Sequence, residues 1–194
     1  MRRKRLASVV VVAAVLAIAA GIVVQSGSSA ANGDSIVLLY NGFSVANTHA
    51  APQTAAFTGW CNQECFPSVM LPVADAANGA PRGTIYVWVK HFVTSGNTTC
   101  FGEFIWYALN DGDVYTDSGS NGTCGASIDA ALKPATHLDN ATVSGGGGDG
   151  QIAAGGSGKY KGWTGTYTDR VFVEVGPGVA NYYYDQLFFS ITRG

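Results

Sequence analysis

Gly155-Gly156-Ser157-Gly158-Lys159-Tyr160-Lys161-Gly162 opens the stretch that decides the fold. A run rich in β-branched and aromatic residues follows at 163–175, then Gly176-Pro177-Gly178, then a second such run at 179–192. Two strand-like runs about a Pro-Gly turn predict a β-hairpin. Each run exceeds the five or six residues of an ordinary strand. Long paired strands without a helical period predict a barrel or a strongly curved sheet, with function on its inner face.

Upstream, the clearest strand spans residues 83–93. Its alternation sets Tyr86, Trp88, Lys90 and Phe92 on one face and Ile85, Val87, Val89, His91 and Val93 on the other. Both faces are mostly apolar, so this strand is expected to be covered on both sides. Thr94-Ser95-Gly96-Asn97-Thr98-Thr99 turns it into a return strand over 100–109, with Phe101, Glu103, Ile105, Tyr107 and Leu109 on one face. Asn110-Asp111-Gly112-Asp113 makes the next turn. Residues 35–40 read as a first strand, and 41–66 as a long loop with room for a helical turn, pinned by Cys61 and Cys65. Residues 127–138 are the other stretch with helical character, which Pro134 opposes. The tract Gly145-Gly146-Gly147-Gly148-Asp149-Gly150 lies between two short β-like pieces at 141–143 and 151–153. It lacks the Gly-Lys-Ser/Thr ending of a phosphate loop.

The N-terminus begins Met1-Arg2-Arg3-Lys4-Arg5, continues as an uncharged apolar run over 6–24, and ends in small residues up to Ala30-Ala31. That plan predicts a secretory signal peptide over 1–31, followed by a single domain over 32–194. An uncleaved anchor is the competing reading, because the apolar run is long. Of the eleven basic residues in the 194-residue chain, four lie in this segment. Seven then stand against thirteen acids, a net charge of −6 for the remainder. An acidic domain with few charges argues against nucleic-acid or anionic-membrane binding.

Four cysteines in an exported chain allow three pairings. A turn centred near Gly112 places Cys100 opposite Cys124 on neighbouring antiparallel strands, within disulfide reach. Cys61 and Cys65 then close a small loop, without the two-residue spacing of a redox motif.

The glycine-rich segment, the lead-in Ala141-Thr142-Val143-Ser144-Gly145-Gly146 and the closing run Asn181-Tyr182-Tyr183-Tyr184-Asp185-Gln186-Leu187-Phe188-Phe189 resemble the allene oxide cyclase and dirigent barrel family. The signature Gly-Gly-x-Gly-x-aromatic-x-Gly stands before the last hairpin, as in that family. The resemblance implies an all-β fold, an eight-stranded antiparallel, calycin-like barrel with a mostly apolar cavity. It further implies a small hydrophobic ligand and cyclisation or coupling chemistry. Dirigent proteins carry an arginine shortly after the signature, where Thr164 stands here beside Trp163. The resemblance therefore extends to the barrel rather than to dirigent-type coupling.

Within the last hairpin, alternation puts Tyr167, Asp169, Val171, Val173 and Val175 on one face, and Tyr183, Asp185, Leu187, Phe189 and Ile191 on another. If Val175 pairs with Val179, Asp169 faces Asp185 among apolar neighbours. Two close carboxylates resist ionising together and form an acid/base pair. A slip by one residue sets Arg170 against Asp185 as an ordinary salt bridge. Glu103 faces either Lys90, as a structural pair, or His91, as a proton-transfer pair. Glu103, Asp169 and Asp185 are thus the catalytic candidates. Trp88, His91, Trp106, Tyr107, Tyr167 and Tyr183 are the ligand-contact candidates, with a filled barrel core as the competing reading of the aromatics. His49 and His137 lack spaced ligands, so no metal site is expected, and the barrel chemistry requires no cofactor. Two functions remain open. One is a secreted binder of a small hydrophobic molecule, with cofactor-independent cyclase or isomerase activity as its finer form. The other is a secreted structural or interaction protein with a filled barrel.

Overall fold

In the computed structural model, which describes residues 35–128, 137–177 and 181–194, the two strand-like runs at the end of the chain pair antiparallel. The chain order is β1 (Ser35–Phe43), β2 (Val45–Ala46), α1 (Ala55–Cys61), β3 (Phe66–Asp75), β4 (Pro81–Ser95), β5 (Thr98–Leu109), β6 (Gly112–Asp117), β7 (Thr123–Ser127), β8 (Thr142–Ala153), β9 (Gly165–Val175) and β10 (Tyr182–Arg193). All pairings are antiparallel. The sheet runs β1-β10-β9-β8-β6-β5-β4-β3, and a β1–β3 contact at Leu38–Asp75 and Leu39–Ala74 closes it. β6 and β7 share one position, each pairing with β5 and β8, so the closed wall is an eight-stranded barrel. Closure removes the exposed edges that an open sheet of this length would present.

Alternation holds on β4 as far as Lys90, and along β5 and β9. Ile85, Val87 and Val89 point inward with Ile105, Tyr107 and Leu109, and these meet Tyr167, Leu187, Phe189 and Ile191 in the main core. The outer face of β4 and β5 is covered too, as its apolar composition requires. The short helix α1 lays Phe57 and Trp60 on Trp88, Phe104 and Tyr115. Thr54 caps that helix, its hydroxyl accepting from the Phe57 N–H at 3.1 Å. Burying Phe57 and Trp60 stabilises the docked helix by about 2 kcal/mol each. A helix this short depends on such packing rather than on its own propensity. The Cys61–Cys65 disulfide closes the turn at its end.

The segment 155–162 seals one end of the barrel. It contains a 3₁₀ turn at Gly158–Tyr160, and Tyr160 and Trp163 pack edge to face inside the core, ring centroids 5.0 Å apart. The Tyr160 hydroxyl donates to Asp111 at 2.7 Å, and Arg82 donates to Tyr160 at 2.9 Å. Ser157 donates to Asp113 at 2.6 Å. The glycine signature is therefore a plug, tied by hydrogen bonds to the β5–β6 turn.

The glycine tract departs from its reading as a break between two short pieces. Residues Thr142–Ala153 form one continuous twelve-residue strand. Glycine in a strand marks close backbone approach, and these residues occupy the crowded inner wall against β7 and β9. Residues 129–136, which carry most of the stretch with helical character, lie outside the described residues, as do residues 1–34 with the expected signal peptide.

Both hairpin registers differ from those expected. In the last hairpin Tyr182 faces Val175, and a bulge at Asp185 shifts the pairing, so that Asp169 faces Phe189 and Arg170 faces Phe188. Neither the Asp169–Asp185 pair nor the Arg170–Asp185 bridge forms. In β4–β5, Glu103 faces Val89 and Lys90 faces Gly102, with a shift between Lys90 and Val93. His91 sits in that irregularity with φ of 54°. The Cys100–Cys124 disulfide forms as expected. It does so by another path. Leu109 pairs with Gly112 and Phe104 with Asp117, and the five residues 118–122 then leave the sheet before Cys124 rejoins it opposite Cys100.

Candidate functional site

Opposite the plug, the barrel holds a cavity of about 400 Å³. Its walls are Val69, Leu71, Val87 and Val89 from β3 and β4, and Val171, Val173 and Val175 from β9, with Phe101, Tyr182, Tyr184 and Phe189 adding aromatic surface. Gly145, Gly146 and Gly147 contribute bare backbone on the β8 side. This volume lies within the range of small-molecule sites.

Two carboxylates enter this chamber, Glu103 from β5 and Asp169 from β9. Both are buried, with 7% and 4% of their surfaces exposed. The break between β6 and β7 positions Glu103. Ser118, the first residue to leave the sheet, accepts the Glu103 N–H at 2.8 Å, and Thr123, the first to return, donates its hydroxyl to Glu103 Oε2 at 3.0 Å. Asp169 is held from the β8 side by the Gly148 N–H. A side chain at Gly148 would displace the pair's partners, because a Cβ there would lie 2.9 Å from Asp169 Oδ1 and closer still to the Thr123 hydroxyl.

The two carboxyl groups are within hydrogen-bonding reach of each other. Burial, reinforced by the neighbouring Asp169 carboxylate, pushes Glu103 well above the usual carboxylate range. Burial pushes Asp169 up to about 6, against the opposing pull of the Gly148 N–H and the Arg170 guanidinium. Both groups thus hold their protons more tightly than free carboxyls do, and two close acids that resist ionising together can divide the roles of acid and base.

Below the pair, Tyr107 and Tyr167 are almost fully buried, and their hydroxyls lack a partner at good hydrogen-bond geometry. Thr116 sits beside the first, and Ser118 and Thr123 beside the second. These rings fill the barrel between the carboxylates and the plug and do not line the cavity.

The other expected site residues lie elsewhere. Trp88 and Trp106 belong to the cluster outside the barrel, beneath and beside α1. Trp106 donates to Asp113 at 2.8 Å. His91 also faces outward, 2.8 Å from Glu64, and Lys90 reaches the Trp60 carbonyl with its ammonium group 4.5 Å from that ring. Tyr183 leaves the inner face because the bulge at Asp185 reverses the alternation, and its ring stacks on His137 at 3.7 Å. Asp185 lies on the same outer side, 3.8 Å from His137. Buried Glu174 completes that group, 3.0 Å from His137 Nδ1 and accepting the backbone N–H groups of His137 and Leu138. His137, Glu174 and Asp185 thus come together although no sequence spacing relates them. Glu174 there serves to hold the start of the 137–140 segment. The Glu103–Asp169 pair was hidden in the same way. Each acid is visible on an apolar strand face, but their meeting across 66 positions is not.

No family model, curated protein or solved structure matches the chain.

Proposed function

We propose that this is a secreted protein that binds a small hydrophobic molecule in its barrel, and that the Glu103–Asp169 pair supplies acid/base help for a cofactor-independent isomerisation or cyclisation. The observation that carries the reading is the apolar 400 Å³ cavity with two buried carboxylates at its inner end. A barrel serving only as a scaffold has no use for that space or for the cost of burying the acids. The aromatic filling expected of such a scaffold is confined to the plugged half. The resemblance of the glycine signature to allene oxide cyclase and dirigent barrels agrees with this reading. In such a chamber the walls would hold a flexible substrate in a reactive conformer, while one carboxyl group of the pair donates a proton and the other accepts one.

Secretion is supported by the N-terminal pattern and by two disulfides. Among the described residues, no helix is long and apolar enough to cross a membrane. The intact mass of the exported chain should show the first thirty or so residues removed; a mass retaining them would support the anchor.

The binding test is calorimetric titration with octan-1-ol, a neutral probe of suitable size. Single-site binding is expected in the wild type and a loss of at least tenfold in Val171→Trp, which fills the chamber. Absence of binding to the wild type would refute the cavity as a ligand site. For turnover, once a substrate is found, Glu103→Gln and Asp169→Asn should each abolish activity while preserving the fold. Undiminished rates in both would remove the carboxylates from the chemistry.

A further inference from the structure

The charge of the cavity is one-sided. Among the described residues its lining contains two charged side chains, both acids, and no lysine, arginine or histidine. The other polar lining groups are the amide of Asn97 and hydroxyls such as those of Thr99, Thr123 and Ser144. Nearby cations are committed outside. Lys90 donates to the Trp60 carbonyl beneath α1. Arg170 reaches Asp149 at 3.2 Å and the Gly148 carbonyl at 3.1 Å on the outer side of the wall. The phenols of Tyr107, Tyr167 and Tyr184, which also feel the acids, are all pushed further above their ordinary value by them and stay neutral.

Two buried carboxyl groups in one apolar chamber resist ionising together, and any negative charge they carry sits at the inner end of the cavity. A charge buried in apolar surroundings requires a counter-ion, and its lack is costly. Here, among the described residues, the wall supplies backbone and hydroxyl hydrogen bonds but no cation facing the chamber. The cavity that the pair enters also has aromatic groups in its wall, Phe101, Tyr182, Tyr184 and Phe189, of which Phe189 lies opposite Asp169 in the β9–β10 register, and π faces favour a cation. Valine and leucine side chains make up much of the remaining apolar wall.

We propose that the ligand of this cavity is a hydrophobic amine, bound as its ammonium ion with the charged head against Glu103 and Asp169 and its apolar body along the valine-rich wall. This rests on the cavity being a ligand site and names the chemical class that enters it. The amine supplies the missing positive charge, whereas a carboxylic acid would bring a second anion to a floor that already carries one.

The test compares octylamine, octan-1-ol and octanoate by calorimetry on the wild type and on the double variant Glu103→Gln/Asp169→Asn. At pH 8 octylamine should bind the wild type at least tenfold tighter than octan-1-ol, with octanoate weakest. Lowering the pH to 5, below the Asp169 value of about 6, leaves roughly a tenth of that carboxylate ionised. Octylamine affinity should then fall about tenfold while octan-1-ol is unaffected. The double variant should bind octan-1-ol as before, which shows that its cavity is intact, and should lose the preference for the amine. Octan-1-ol or octanoate binding as tightly as octylamine would overturn the amine assignment and leave the cavity reading standing. An amine preference that survives the double substitution would overturn it as well. Failure of all three probes to bind would overturn the cavity reading and the amine assignment with it.

Discussion

The carboxylate pair should make the protein less stable as pH rises through the weakly acidic range, the reverse of the effect of ion-paired acids. The folded state holds these protons more tightly than the unfolded chain does. For Asp169 the ordinary value of 3.8 becomes about 6 on folding. Well below pH 3.8 both states are protonated, and the group's full stabilisation relative to high pH is present. Between pH 4 and 6 the unfolded chain loses its proton first, so stability falls, and above about 6 the loss is complete. A shift of that size corresponds to about 3 kcal/mol. Glu103, raised well above 4.5, extends the decline to higher pH. For a domain of this size, 3 kcal/mol is about 6–12 °C in Tm. Glu103→Gln/Asp169→Asn preserves the shapes and removes the titration. Tm measured from pH 4 to 7 should therefore fall more steeply for the wild type than for the double variant, by roughly that amount over the range. Parallel Tm–pH curves would refute the raised proton affinity of the pair.

Gly148→Ala should destabilise the fold by about 1–3 kcal/mol in urea unfolding, because the new methyl competes with Asp169 Oδ1 and the Thr123 hydroxyl; a neutral result would mean that β8 stands further from the pair. Replacing both Cys100 and Cys124 by serine should cost on the order of 3 kcal/mol, and non-reducing peptide mapping should join only Cys61 to Cys65 and Cys100 to Cys124. Any cross-link between the two sets would contradict the β5–β7 pairing.

What the sequence determined by itself is local. The period-two alternation assigned the inner faces of β5, β9 and β4 as far as Lys90 correctly, since a side chain's side of a regular strand follows from neighbouring positions alone; beyond Lys90 it placed His91 and Phe92 on the wrong sides. The apolar character of both faces of β4 foretold the outer cover that α1 provides. The glycine signature, with the long hairpin after it, pointed to a closed barrel. Tertiary structure decided where that regularity stops. A one-residue bulge at Asp185 carried Tyr183 and Asp185 to the outside, and the irregularity after Lys90 placed His91 among surface groups. Bulges are set by how whole strands must twist and shear to close the barrel, and no nearby residue announces them. The same cause produced the carboxylate pair. Glu103 and Asp169 meet because β6 leaves the sheet at Ser118, β7 returns at Thr123, and the glycine backbone of β8 lets β9 approach. That meeting depends on four strands at once, so it existed only in the folded barrel.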